Sequence, residues 1–333
     1  MMAGGAASSA EAVGAASAGT AQAGPALAGA APVGAARSVA ARPRRRRQAQ
    51  RHVGTAWLML APVVVFFSVF LIYPVGNAFW VSLTSWDLVG PQRFIGLRNY
   101  ERLLEDANFL NAIRVTAVYT FGLLAIELPA ALGLAILLDR KLKGRAFYQA
   151  VIFAPVVLTM VVVAMLWRVV FAPLGGLALM VTEPLGLGGL QWLNDRNLAM
   201  PALIIASLWK NVGYYMIIFL AGLQAIPATV YEAARIDGAG AWATFRRITL
   251  PLLRPFLLFV TVVSIIRTSQ AFSLIYALTG GGPADATKVL PYLIYEVAFG
   301  FNRMGYASAM AVLMFFALLI LTVIQFRLLR SRG

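Results

Sequence analysis

The chain has 333 residues, of which 60% are hydrophobic and 12% charged, a balance far from soluble domains and close to polytopic membrane proteins. Its formal net charge of +15 comes mostly from basic residues in short segments between apolar runs, where they set orientation in a bilayer rather than form a nucleic-acid surface. Cysteine is absent, which excludes disulfides and thiolate metal sites, and the one histidine, His52, sits in a basic flank without a catalytic constellation.

Residues 1 to about 41 are rich in Ala, Gly, Ser and Pro, with only Glu11 and Arg37 charged. Such a segment buries too little apolar surface to offset its ordering entropy, so disorder is expected, and it is too weakly hydrophobic for the core of a signal peptide. Arg42, Arg44 to Arg47 and Arg51 follow, directly before an apolar span, as a cytoplasmic flank would. The expected division is an Ala/Gly-rich cytoplasmic tail over 1–54, ending in this arginine cluster, and a membrane domain over 55–330.

Six runs then have the length to cross a hydrocarbon core of about 30 Å at about 1.5 Å per helical residue. They are approximately 57–80, 112–138, 147–172, 201–226, 256–279 and 304–327, which predicts an all-α, polytopic protein with six transmembrane helices. Pro62, Pro74, Pro129 and Pro155 fall inside or at the ends of these runs and are tolerable where neighbouring helices re-satisfy the backbone. With the N-terminus inside, the inner segments hold 18 Lys and Arg against 6 outside, so both termini and the loop between the fourth and fifth runs face the cytoplasm. The outer segments, Trp86 to Asn108, Gly175 to Arg196 and the stretch opened by Gly280-Gly281-Gly282-Pro283, are polar and turn-rich. They suit either a platform for an external protein or plain connectors.

The cytoplasmic loop over 228–255 carries the densest local signals. Thr229 is placed to cap a helix on which Val230, Ala233, Ala234 and Asp237 recur at helical spacing, and Gly238 can take the left-handed conformation that ends it. A second short helix is predicted with Trp242, Phe245 and Thr249 on one side and Arg246 and Arg247 on the other. Pro251 is expected to stop it and Pro255 to open the next span. Two small helices joined at a glycine, with alanines allowing close approach, have the form of a knob that docks into another protein.

The spacing Glu232-Ala233-Ala234, three residues, Gly238, nine residues, Ile248, one residue, Leu250-Pro251 resembles the signature loop of permease subunits in binding-protein-dependent ABC importers. Tyr231, Arg235-Ile236-Asp237, Ala239 and Pro255 resemble the maltose/glycerol-3-phosphate-type sugar permeases in particular, as do Leu223 to Pro227 and Thr279 to Pro283. The similarity runs from about Trp57 to Arg327. It implies an ABC type I importer permease fold in a bacterial cell membrane, importing a sugar or sugar-like solute, or else a polyol, glycerophosphate or other small solute. It further implies a second homologous permease chain, two ATP-binding subunits that hold the ATP and Mg, and an extracytoplasmic solute-binding protein. In that scheme Glu232, Ala233, Ala234, Asp237, Gly238, Ile248, Leu250 and Pro251 form the ATPase-docking loop.

No enzymatic constellation is present: no G-x-x-x-x-G-K-[ST] loop, no Ser/His/Asp arrangement and no metal-ligand cluster. No catalytic residue, metal or cofactor is therefore expected on this chain, and the energy for transport must come from another chain or from an ion gradient. The run Gly186-Leu187-Gly188-Gly189 lacks the third glycine and the strand–helix setting of a dinucleotide site.

Ionisable residues inside spans are costly and are candidates for function. Arg114 and Arg168 lie near span ends, where long side chains snorkel. Lys210 and Arg267 are roughly 15 Å deep, and Glu127 is the one deep carboxylate. They line a polar pathway or form structural contacts, for instance with one another. Lys210, Asn211, Tyr214 and Tyr215 fall on one broad helical face. Ser264, Arg267, Thr268, Gln270 and Ser273 do the same on the fifth run, near Phe272 and Tyr276. Amides and hydroxyls bond sugar hydroxyls, and aromatic planes cover sugar C–H faces, but the same residue types also knit helices together. Because the fourth and fifth spans contact substrate in related permeases, the substrate-binding candidates are Asn211, Tyr214, Tyr215, Gln270, Lys210 and Arg267. Ser273 stands where many relatives carry an acidic residue, so the substrate class does not transfer with the motif. Two rival classes remain: a gradient-driven secondary transporter, which would need Glu127, the one deep carboxylate, as its ion ligand, and a non-transporting membrane scaffold that binds partners through the same loop.

Overall fold

The computed structural model describes residues 57–140, 142–186 and 189–330, and the chain divides into two units, Met1–Ala61 and Pro62–Gly333. Of the first unit, residues 57–61 are described, as exposed helix. The tail and arginine cluster expected over 1–54 lie outside the described residues, as does part of the run from Gly186 to Gly189. The second unit holds the architecture below.

In chain order the helices are α1 (Trp57–Ser82), α2 (Arg98–Glu105), α3 (Ala107–Asp139), α4 (Arg145–Val157), α5 (Met160–Val170) and α6 (Leu177–Thr182). They continue with α7 (Ala199–Gln224), α8 (Ala228–Ile236), α9 (Ala241–Leu252), α10 (Arg254–Ser269), α11 (Ser273–Leu278), α12 (Leu290–Tyr295) and α13 (Met304–Arg330). A two-residue antiparallel ribbon, β1 (Thr84–Ser85) with β2 (Arg93–Phe94), is the one departure from all-helical structure among the described residues.

Four helices, α1, α3, α7 and α13, are long and apolar enough to cross a bilayer unaided. Two bent pairs raise the number of spans to as many as six: α4 with α5, at 102°, and α9 with α10, at 67°. The difference from the sequence lies in continuity. The run predicted over 147–172 is two helices, because α4 ends at Val157, Leu158 and Thr159 are extended, and α5 restarts at Met160. Pro155 removes an N–H from the last turn of α4, and the Thr159 hydroxyl accepts the Val162 N–H at 3.4 Å to cap the new start. The run predicted over 256–279 is also divided, since α10 stops at Ser269 and α11 begins at Ser273. A tight turn separates them, with the Ala271 N–H donating to Thr268 O at 3.1 Å.

Three apolar clusters lie along α3. Tyr119 and Leu123 pack with Val163 of α5, Leu203 of α7 and Ile275 of α11. Further along, Ala131 and Ala135 pack with Tyr215 and Phe219 of α7 and with Leu253 and Val260. At the other end Phe109 and Ala112 meet Leu103 of α2, Leu293 of α12 and Met310 of α13. In a bilayer, helix association depends on close packing rather than water exclusion, and small residues permit it. Gly213 of α7 is the clearest case: a Cβ there would lie 2.3 Å from the Ile152 carbonyl oxygen of α4. Phe121, Val151, Met165, Phe316 and Ile320 are exposed on the outer helix faces, as lipid-facing side chains are.

Candidate functional site

The loop over 228–255 forms a knob whose shape is set by its own backbone. Helix α8 starts at Ala228 after Pro227, so Thr229, expected as its cap, lies inside the first turn instead. Its far end closes as a Schellman motif: the Gly238 N–H donates to Arg235 O at 3.1 Å and the Ala239 N–H to Ala234 O at 2.9 Å, with Gly238 at φ +72°. Helix α9 then runs through Pro251, which was expected to stop it, and ends at Leu252 before the bend at Leu253. A π turn over Phe245–Thr249 precedes Pro251 and puts the proline in the first turn of the next helical segment, where its missing N–H costs little. Pro255 opens α10 as predicted.

The signature residues divide between the root and the tip of this knob. Ala234 is buried, Tyr231 Oη and Thr249 Oγ1 lie 3.3 Å apart, and Phe245 and Leu250 pack against the α3–α7–α10 cluster. Ile248 and Pro251 are half-buried. Glu232, Ala233, Arg235, Asp237 and Gly238 are exposed, and so are two large apolar side chains, Ile236 at 87% and Trp242 at 71%. Apolar anchors ringed by both signs of charge are what a protein-docking surface needs.

The second site lies where the two predicted spans are broken. Lys210, Asn211 and Tyr214 of α7 line a cavity of about 390 Å³ with Arg267 of α10 and Gln270 of the turn after it. Leu158 and Met160 at the α4–α5 break, and Phe272 and Ser273 at the α10–α11 break, complete much of its wall. Irregular backbone at membrane depth is tolerated where it lines a cavity, and both breaks do. Tyr215, expected on the same face, is instead turned into the core beside Phe219 and is fully buried.

Long-range contacts hold this region together. Lys210 Nζ donates to Val156 O, one of the last carbonyls of α4, which has lost its helical partner to the break. Arg168, expected to snorkel, instead donates from Nε to Leu278 O at 3.4 Å, at the end of α11. The Arg267 guanidinium lies 4.9 Å from the Tyr214 ring centroid, a cation–π contact absent from the sequence-based expectations. Glu127 is fully buried on α3 and accepts a hydrogen bond from the Ser264 hydroxyl at 2.6 Å. It forms no ion pair within 4.0 Å of Lys210 or Arg267, so the expected charge partnership is not made. Tyr119 and Ser207 hydroxyls, 2.6 Å apart, tie α3 to α7.

On the opposite side of the bundle from the knob, the segment after α11 is internally ordered. The Thr287 hydroxyl donates to Gly282 O at 2.6 Å, and Lys288 bridges Asp285 at 2.8 Å and Glu296 at 2.9 Å. Burial pulls the Lys288 ammonium down, but the two carboxylates outweigh it and hold its pKa above the ordinary lysine value.

A helical knob on one end of a broken-helix bundle, with a polar cavity at the breaks, is an architecture suited to a membrane transport subunit. The chain belongs to the family described as binding-protein-dependent transport system inner membrane component, whose model matches residues 127–332. It is 34% identical over 283 residues to the trehalose/maltose transport system permease protein MalF of Thermococcus litoralis, covering 85% of this chain and 96% of that protein. It is 37% identical over 284 residues to the sn-glycerol-3-phosphate transport system permease protein UgpA of Salmonella typhimurium, covering 83% of this chain and 94% of that one. Among solved structures it is similar in fold to a chain of a bacterial alginate ABC transporter in complex with an alginate pentasaccharide-bound periplasmic protein. The TM-score there is 0.76 at 23% identity, over 86% of this chain and 98% of that one. The protein is thus an ABC importer permease subunit of the inner membrane, with the type I importer permease fold, and not an enzyme.

Proposed function

We propose that the chain carries a sugar or sugar-like solute from an extracytoplasmic binding protein to the cytoplasm. The relatives named for trehalose/maltose and for sn-glycerol-3-phosphate support a small polyhydroxylated cargo. So does the cavity, where Asn211 and Gln270 supply amides, Thr268 and Ser273 hydroxyls, and Tyr214 and Phe272 aromatic planes. A second, homologous permease completes the pathway, and two ATP-binding subunits hold ATP and magnesium in the cytoplasm. Both termini lie on that side, and the ordered outer segment over 280–303 serves as the platform for the binding protein.

The observation that carries the coupling role is the exposed face of α8 and α9. Glu232, Ala233, Asp237 and Gly238, with Ile236 and Trp242, enter a cleft of the ATPase, while Ala234, Ile248, Leu250 and Pro251 root the knob in the bundle. Closure of the ATPase pair on ATP then moves the knob and rocks the spans between inward- and outward-facing states. Purification of the tagged chain from its native membrane in mild detergent tests this. A second permease and an ATPase should co-purify, and Glu232→Lys should lose the ATPase without loss of membrane insertion. Full ATPase recovery and normal uptake by the variant would remove the docking assignment.

A further inference from the structure

The charges around the cavity do not balance. Arg267 and Lys210 both line it, and no Asp or Glu does. Neither cation has a carboxylate within ion-pairing distance. Glu127 of α3 is fully buried, does not line the cavity and accepts a hydrogen bond from Ser264. Even with Glu127 ionised, this chain sets one carboxylate against two cations, and the side of the pathway it supplies keeps a positive excess at membrane depth. An uncompensated charge there is expensive, and a protein retains one where a ligand supplies the missing opposite charge.

The donors are also arranged for such a ligand. Lys210 commits one of its three N–H groups to Val156 O, which fixes the ammonium at the cavity wall and leaves the others for a ligand. Arg267 is exposed and lines the cavity, and its guanidinium lies 4.9 Å from the Tyr214 ring centroid, a cation–π contact that does not consume its charge. Asn211 and Gln270 add neutral donors beside them.

Resting on the sugar-like reading above, we infer that the transported solute is an anionic one, a phosphorylated or carboxylated polyol or sugar whose acidic group sits between Arg267 and Lys210. The neutral hydroxyls of the same solute meet Asn211, Gln270 and the face of Tyr214.

The test uses the co-purified importer with its binding protein, reconstituted in vesicles with ATP on the ATPase side. Uptake of sn-glycerol 3-phosphate and glucuronate is compared with that of glycerol, maltose and trehalose. An anionic probe should be taken up in preference to the neutral ones. Arg267→Gln should lower that uptake about tenfold or more, since charge-assisted hydrogen bonds are worth that much, and Arg267→Lys, which keeps the charge but loses the planar fork, should fall between that variant and the parent. Arg267 is chosen because it holds no backbone carbonyl, and assembly with the ATPase is checked for each variant. Uptake of a neutral sugar with the anions excluded would overturn the inference and leave the proposed function intact. ATP hydrolysis and assembly with no uptake of any probe would instead bring down the sugar-like reading, and the inference with it.

Discussion

The knob and the cavity are closed in opposite ways. Every contact that shapes the tip of the knob spans a few residues: Gly238 to Arg235, Ala239 to Ala234, the π turn over Phe245–Thr249. The cavity region is held by contacts across the chain, Lys210 to Val156, Tyr119 to Ser207 and Glu127 to Ser264, separated by 54, 88 and 137 positions. A unit closed locally can be pushed as one body without losing its form, as a part driven by another protein must be. A cavity closed by distant helices changes shape whenever those helices move, as a site with alternating access must.

Substitution at Gly213 should strike the cavity region hardest. Its Cβ position is 2.3 Å from Ile152 O and 3.0 Å from Phe153 Cα, so Gly213→Val must part α7 from α4 just where Lys210 meets Val156. Overpacking against backbone is expected to cost about 3 kcal/mol or more. The purified permease should lose its cooperative thermal transition, or show it many degrees lower. A variant as stable as the parent would mean that the α4–α7 contact is not what closes the cavity.

Gly238→Ala makes the matching test at the knob with a smaller effect. Nothing lies within 4 Å of the added Cβ, so the cost is that of φ +72° alone, about 1 to 2 kcal/mol. Because the Schellman closure is local, the loss should be confined there, with tryptic cleavage at Arg235, Arg246 and Arg247 rising roughly five- to thirtyfold as the open form becomes more populated. The global thermal transition should stay in place. A matching fall in the global transition would show that the knob is not an independent unit.

The same contrast explains what could be read from the sequence. The apolar helical runs and the knob rest on composition and on the Gly238 and Pro255 signals, all of which act within a turn or two of themselves. Lys210, Asn211, Tyr214, Arg267 and Gln270 were legible as polar residues at membrane depth, and the cavity gathers them. The breaks at Leu158–Thr159 and Gln270–Phe272 were not legible. Pro155 hinted at the first, but Pro129 lies within a continuous α3, so proline alone does not decide. At the break after Val157 the open Val156 carbonyl is met by Lys210, 54 positions away, and no local pattern records that contact. Tyr215 failed for a related reason: it adjoins Tyr214, yet a rotation of about 100° per residue turns it from cavity to core. The expected stop at Pro251 and cap at Thr229 were displaced by a π turn and by Pro227, both alternatives that propensity leaves nearly equal in energy.

Lys288 offers the finest discrimination, because its two carboxylates are both local and both outside the cavity. Asp285 lies at i−3 and Glu296 eight positions on, at 2.8 and 2.9 Å, and the second is half-buried. Pairs of this kind contribute about 1 kcal/mol, so Lys288→Met should leave the thermal transition nearly unchanged and loosen only residues 284–296 in hydrogen exchange. The pH dependence fixes the cause. The folded-state pKa of Lys288 is raised above 10.5, so its contribution is complete below that value and is lost as the pH climbs through the raised one. The gap in exchange between parent and variant should therefore be constant from neutral pH to about 10.5 and close above it, since both chains then lack the charge. A gap that closed below 10.5 would mean that the ammonium is not what orders this segment. A gap that spread to α7 or α10 would mean that the outer segment is wired into the cavity, and the division between locally and distantly closed parts would have to be drawn elsewhere.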